Sequence, residues 1–262
     1  MFTAKNYVKV ESLEQAYELN QKKTNVIVGG ICWLKLGSRQ IQTAIDLSGL
    51  GLDTIEETSD SFIIGCMATL RSLETCKSLN NWCDGAIKES LRHIVGVQFR
   101  NCATIGGSIY GRFGFSDILT CLLAMDTSVE LYKAGIVPLK EFVAMPYDND
   151  ILVRIIIKKE KLSMSYQSLR ITATDFPVLA CAVSIHENVT RISVGARPRR
   201  AELIEFETPK SEEEVLEIAT KIQDVLHYGT NMRGSAEYRR HLAGVFVRRG
   251  LKKVLEGIND AY

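Results

Sequence analysis

The sequence predicts an α+β protein of three lobes. Three observations lead there. Short β-branched runs recur along the chain, at 25–28 (NVIV), 62–65 (FIIG) and 151–157 (ILVRIII). Helix-start residues recur between and after them, at Ser12, Ser116, Ser211 and Ser235. No linker rich in Pro, Gly or Ser separates these segments and no internal repeat relates them, so packed lobes are expected.

The first lobe reads as a β-α-β-β unit. Residues 7–11 (YVKVE) form a short strand, and Ser12 with Gln15 makes a capping box ahead of the helical stretch Leu13 to Leu19. A buried strand at 25–28 ends at Gly29-Gly30, and 43–48 (TAIDLS) supplies another strand before the lobe closes near 52–57. The second lobe opens with the strand at 62–65 and a short helix from Thr69 to Cys76. Asp84 can cap a helix over 85–94, whose Ile87, Leu91 and Ile94 share one face. Residues 97–117 carry few helical signals, and Ser116 then caps an apolar helix from Ile118 to Met125. Val129 to Tyr132 and Ile151 to Ile157 are strand-like. The third lobe begins near Ser163, with strands at 178–185 and 191–195. Ser211 with Glu214 opens a helix over 212–227, and Ser235 opens the last one, over 236–256.

Composition narrows the function. At 262 residues the chain fits one large domain or two to three compact lobes. With 46% apolar and 24% charged residues it is globular, not disordered. Lys plus Arg (32) balances Asp plus Glu (31), so there is no field to gather a polyanion, and nucleic acid is excluded as a first guess. No apolar run reaches the roughly 18–20 residues of a membrane span. Met1 to Lys9 lacks the apolar core of a signal peptide. Seven cysteines, none in a C-x-x-C pair, read as reduced thiols of a cytoplasmic protein. Their spacing also argues against an iron–sulfur cluster held by this chain alone.

Hydrolytic and metal chemistry find no support. His93, His186, His227 and His241 lie outside any H-E-x-x-H context and read as structural. Gly107 to Gly111 misses the G-x-S-x-G elbow by one residue. A dinucleotide G-x-G-x-x-G is absent, which argues against a Rossmann fold. What stands out is two Gly-Gly pairs, 29–30 and 106–107, each following a β-branched residue. Such turns let a backbone approach a ligand and aim successive N–H groups at a phosphate. Thr104 and Ser108 add hydroxyls around the second pair. Asp117 follows at a helix start, either as an acceptor for ribose or ribityl hydroxyls or as a simple N-terminal cap. The basic residues of the last helix (Arg239, Arg240, Arg248, Arg249, Lys252, Lys253) form a solvated face or a partner surface.

The segment VGVQFRNCATIGGSI (95–109), followed by Asp117, resembles the flavin-binding signature of the molybdenum hydroxylases, the family of xanthine dehydrogenase and carbon monoxide dehydrogenase flavoprotein subunits. NVIVGGICWLKL (25–36) resembles that family's first pyrophosphate loop. IGCMATLRSLE (64–74), VPLKEF (137–142), ILVRIII (151–157) and SAEYRRHLAGVFVRR (235–249) resemble later landmarks in the same order. The resemblance implies a two-lobed FAD-binding domain of the vanillyl-alcohol oxidase type over 1–160, with lobes of about 1–57 and 58–160. A small C-terminal α+β domain of the CO dehydrogenase flavoprotein type would follow over 161–262.

For the site, the resemblance implies that Val26, Ile27, Val28, Gly29, Gly30, Ile31, Cys32 and Trp33 wrap one side of the FAD pyrophosphate. Ala103, Thr104, Gly106, Gly107 and Ser108 would cover the other side. Asp117 would meet ribityl or ribose hydroxyls, and Ile94 and Leu152 would meet the flavin region. Gln167 stands where some relatives place a lysine. Ile31 and Cys32 replace the family's polar pair after Gly-Gly, and 110–115 (YGRFGF) replaces small polar residues and a proline. The implied role is electron transfer, with no side chain acting as acid or base. A molybdopterin-binding large subunit and a [2Fe–2S] small subunit would be the partners, and NAD⁺ or another acceptor would be the outlet. The alternative is a scaffold subunit of the same assembly with weak or lost flavin binding, which Ile31 and Cys32 motivate.

Overall fold

The structure, a computed structural model, describes residues 2–259. In chain order its elements begin with β1 (Thr3–Lys9), α1 (Leu13–Asn20) and β2 (Asn25–Val28). A 3-10 turn at Leu34–Leu36 leads to β3 (Gln40–Asp46), β4 (Ile55–Glu57) and β5 (Ser61–Gly65). Then come the short helices α2 (Leu70–Thr75), α3 (Lys77–Trp82), α4 (Ala86–Leu91), α5 (Val97–Cys102), α6 (Ile105–Tyr110) and α7 (Asp117–Leu123). β6 (Thr127–Leu131), β7 (Gly135–Pro138), α8 (Leu139–Ala144) and β8 (Leu152–Lys158) follow. The chain continues with β9 (Ser163–Leu169), β10 (Leu179–His186), β11 (Val189–Gly195) and β12 (Glu202–Glu207). It ends on α9 (Glu212–Val225) and α10 (Ala236–Asn259). No helix among the described residues is long and apolar enough to cross a membrane.

Two compact units emerge. Among the described residues the first comprises 2–73, 97–111 and 127–157; the second comprises 74–96, 112–126 and 158–259. The first unit holds two sheets. One is small and parallel, ordered β1-β3-β2, and it needs α1 as the crossover between its strands. Ser12 caps α1 by accepting the Gln15 N–H as expected, while the Gln15 side chain accepts the N–H of Glu11, one residue ahead of the cap, instead of closing the box on Ser12 itself. The other sheet runs β4-β5-β8-β6-β7. β8 is central there, which suits its β-branched residues, and Ile155 and Ile157 are fully buried. Asp150, just before β8, accepts from the main-chain N–H groups of Lys133, Ala134 and Ile151, tying the β6–β7 turn to the start of β8.

The second unit is layered on an antiparallel sheet, β12-β11-β10-β9. Side chains alternate along β10. Cys181, Val183 and Ile185 join Ile218 and Ile222 of α9 and Ala243, Val247 and Leu251 of α10 in one core. Ser184 points the other way and donates to the carbonyl of Ala124, at the end of α7. All seven residues of α7 are buried, against α4 and the sheet. Ser116 and Ser211 both accept the N-cap hydrogen bonds expected of them.

Three local expectations are corrected. Residues 97–117 contain two helices, α5 and α6, each six residues long, too short for a periodic signal to rise above background. Asp84 does not cap α4: Gly85 does so in a left-handed conformation (φ 74°), and the Asp84 carboxylate accepts from Ser163 and Met164 instead. The strands β9 and β12 escaped notice because their polar content hides the alternation; β12 reads ELIEFE and lies at the sheet edge.

Candidate functional site

The first unit contains a cavity of about 540 Å³, lined by Gly29 of the first glycine pair and by both glycines of the second. The first pair closes β2. There the chain turns sharply: Ile31 takes a left-handed conformation (φ 59°), and the 3-10 turn follows. Among the described residues, no protein atom accepts the main-chain N–H of Gly29, Gly30, Ile31 or Cys32. Gly29, Gly30 and Ile31 are not buried, so these donors are open to solvent or to a ligand. Successive N–H groups around a left-handed residue form an anion-binding nest.

The second pair is not a free turn. Gly106 and Gly107 lie in the first turn of α6, whose N-cap Thr104 accepts the Gly107 N–H through its hydroxyl at 3.3 Å. The amides of Ile105 and Gly106 go to the carbonyls of Ala68 and Cys66, and that of Ser108 goes to Thr104. Main-chain donation at this cavity therefore rests mainly on the first loop. Gly107 lines the cavity itself, and a Cβ built there meets only the Thr104 hydroxyl, at 3.3 Å.

The two segments touch. A Cβ at Gly30 would lie 1.7 Å from the Cys102 carbonyl oxygen, and one at Gly29 would lie 2.6 Å from the Thr104 hydroxyl. Glycine at 30 is thus required by backbone-to-backbone approach. Cys32, buried behind the loop, donates its thiol to the Gly30 carbonyl at 3.3 Å, and burial raises its pKa. Burial also pushes the Cys66 thiol, at the cavity wall, up to about 12.

Of the residues expected in the site, Val26, Ile27, Gly29, Thr104, Gly106, Gly107 and Leu152 line this one cavity. Val28, Gly30, Ile31, Cys32, Trp33, Ala103 and Ser108 belong to the same unit without lining it. Ile94, Asp117 and Gln167 belong to the second unit. Gln167 donates there to the Phe246 carbonyl of α10. Both Asp117 oxygens are committed: Oδ1 accepts from Tyr166 at 2.5 Å, and Oδ2 pairs with Arg170 at 2.6 Å. Burial pushes the Asp117 carboxyl up, against the opposing pull of Arg170 and Tyr166. The reading of Asp117 as a plain helix cap missed this ion pair.

Tyr110, the first residue of the 110–115 segment, also lines the cavity, its hydroxyl donating to the Asp148 carbonyl at 2.7 Å and so tying α6 to the 148–151 segment of the wall. Among the other lining residues, Asn20 escaped the sequence reading. Lys23 and Arg39 are two more, each just ahead of a strand. Cys66 and Met67 lay inside a quoted landmark, so a signal for them existed; for Lys23 and Arg39 there was none.

Comparison with known proteins decides the family. The family described as FAD binding domain in molybdopterin dehydrogenase matches residues 2–159. This chain belongs to that family. Residues 164–254 match the CO dehydrogenase flavoprotein C-terminal domain. Protein YgfM of Escherichia coli (strain K12) is 26% identical over 92% of this chain and 93% of its own length. The glyceraldehyde dehydrogenase medium chain of Sulfolobus acidocaldarius is 22% identical over 95% of this chain and 98% of its own. The fold is that of a Cu,Mo-CO dehydrogenase chain (TM-score 0.83, 20% identity, 97% of this chain and 98% of that one). Quinoline 2-oxidoreductase from Pseudomonas putida 86 shares it (TM-score 0.82, 18% identity, 98% of each chain).

FAD is the cofactor of this family, and the residues present fit it. A dinucleotide needs main-chain donors for its diphosphate, and the Gly29–Cys32 amides stand without acceptors. It needs a concave pocket within the usual few hundred Å³, and the cavity is of that size. It needs a wall without a side chain, which Gly107 provides. The polar side chains lost at Ile31 and Cys32 are not what this loop offers; its donors belong to the backbone.

Proposed function

We propose that this chain is the FAD-binding electron-transfer subunit of a molybdenum hydroxylase of the xanthine dehydrogenase type. The observation that carries the reading is the loop Gly29–Cys32, whose amides have no protein acceptor among the described residues and whose Gly29 lines the cavity together with Gly106 and Gly107 of α6. When bound, FAD supplies the redox chemistry; the chain's residues bind it, orient it and tune its electrostatics. The proposed contacts are the first loop from Val26 to Trp33, the second from Ala103 to Ser108, and Leu152. The FAD-binding part is assigned to 1–160 and the C-terminal part to 161–262.

The partners we infer are a molybdopterin-binding large subunit and a [2Fe–2S] small subunit. The word chain or subunit in the relatives' names, as in the 6-hydroxypseudooxynicotine dehydrogenase complex subunit alpha of Paenarthrobacter nicotinovorans, supports an assembly of this kind. Electrons would arrive from the partner's clusters and leave to NAD⁺ or another acceptor. All seven cysteines are free, in keeping with a cytoplasmic location.

A second reading, a scaffold subunit that binds flavin weakly, draws on the apolar Ile31 and on the internally committed amides of 105–108. One experiment separates the two. The purified chain is incubated with excess FAD, desalted, and its visible spectrum recorded. A retained flavin band supports the electron-transfer reading, and a colourless chain leaves the scaffold. Co-purification from the native source with molybdenum and iron tests the assembly.

A further inference from the structure

We propose that Lys23 and Arg39 supply the positive charge that balances the flavin's diphosphate. The inference rests on the FAD-binding reading above and adds two residues to it. The first loop offers dipoles but no charge, because its side chains are Ile31 and Cys32. A diphosphate diester bears formal negative charge on each phosphate, and an anionic ligand in a half-enclosed cavity calls for cations close by.

The fold sets Lys23 and Arg39 side by side. Lys23 precedes β2 by two residues and Arg39 precedes β3 by one, and these strands are parallel neighbours, with Asn25 opposite Thr43. The Arg39 guanidinium donates through Nη2 to the Lys23 carbonyl at 3.2 Å, which fixes it at the Lys23 turn. Both residues line the cavity together with Gly29, Thr104 and Gly107. Among the described residues neither is in an ion pair.

Two carboxylates also border the cavity, and both are engaged elsewhere. Asp150 accepts three main-chain N–H groups, as described above. Asp148 Oδ1 accepts the Asp150 N–H at 3.1 Å and lies 3.5 Å from the Tyr110 hydroxyl. Among the described residues the two cations are therefore the charged groups of this lining with no carboxylate partner, and they line the same cavity as Gly29.

The test uses the full chain and flavin-fluorescence quenching, with FAD and riboflavin as probes and ADP as competitor, at low and high salt. Lys23→Gln and Arg39→Gln are each expected to weaken FAD and ADP about five-fold, as suits exposed charges, and the double variant about 25-fold. Riboflavin, which lacks phosphate, should bind all forms alike, and the salt dependence of FAD binding should flatten in the double variant. Thermal melts without ligand should coincide, since both side chains are exposed. Wild-type FAD affinity in the double variant overturns the proposal, as does an equal loss for riboflavin. A wild-type chain that binds neither FAD nor ADP overturns the FAD-binding reading itself, and this inference with it.

Discussion

Substituting Gly107 by valine separates ligand binding from folding. Gly107 lies in the first turn of α6, and an added Cβ there meets only the Thr104 hydroxyl, at 3.3 Å. Helix propensity slightly favours valine over glycine, by a few tenths of a kcal/mol, so the unliganded variant should melt within about 1 kcal/mol of wild type. The side chain instead projects at a wall of the 540 Å³ cavity. Displacing a bound diphosphate from charge-assisted donors forfeits about 1.5–3 kcal/mol for each bond lost, so FAD should bind at least about ten-fold more weakly. Gly30→Ala is the counterpart. Its Cβ would lie 1.7 Å from the Cys102 carbonyl, and backbone cannot swing aside, so that variant should lose several kcal/mol or about that scale of stability. Both are measured by urea unfolding and FAD titration in parallel. Unchanged flavin affinity in Gly107→Val would remove Gly107 from the site; a Gly30→Ala protein as stable as wild type would refute the contact between the two loops.

Two further expectations concern the second unit. Asp117→Asn leaves Arg170 buried without its counter-charge and should cost about 3 kcal/mol in urea unfolding; a cost below 1 kcal/mol, by about the same scale, would mean the pair is not closed. The Arg233 guanidinium, and then the Phe176 N–H, hold the half-buried Asp175 carboxyl below its ordinary value. A depressed folded-state pKa contributes stability that is present above the unfolded value, about 3.9, and is lost as pH falls through the folded one. Arg233→Gln should therefore narrow the difference in melting temperature between neutral and acidic pH; an unaltered acid limb would contradict this.

Much of the fold was legible because local chemistry and tertiary context agree. Ser12, Ser116 and Ser211 are caps whether read as letters or as hydrogen bonds. The β-branched run before Lys158 is central in its sheet because Leu152, Val153, Ile155 and Ile157 are all buried, with Arg154 left on the exposed face. Where reading failed, the decisive partner was distant in sequence. Asp84 looks like a cap until β9 arrives 80 positions later to take its carboxylate. Asp117 likewise looks like a cap, and nothing nearby announces Tyr166 or Arg170. In the site, the glycines could be picked out because absence of a side chain is itself a pattern. Lys23 could not: a lysine in a helix-to-strand turn is ordinary, and its interest comes from the parallel pairing that brings Arg39 beside it.

Ile31 carries the argument about the first loop furthest. A β-branched residue at φ 59° is strained, because its Cβ crowds the following carbonyl, by roughly 1–2 kcal/mol. The strain is sustained where four successive amides have no protein acceptor among the described residues, which is the kind of place where strain accompanies function. Comparing Ile31→Ala with Ile31→Gly isolates it, since both remove the side-chain packing and differ by a methyl group. In ordinary backbone alanine is the more stable by about 0.5–1 kcal/mol. At a left-handed position the order should reverse, with glycine ahead by about 0.5–1 kcal/mol after its own entropy is subtracted. FAD affinity should be equal in the two variants and close to wild type, because the donors belong to the backbone. If alanine is as stable as glycine, the left-handed turn is absent in solution. If affinity collapses in both, the side chain of Ile31 and not its amide is what the ligand meets.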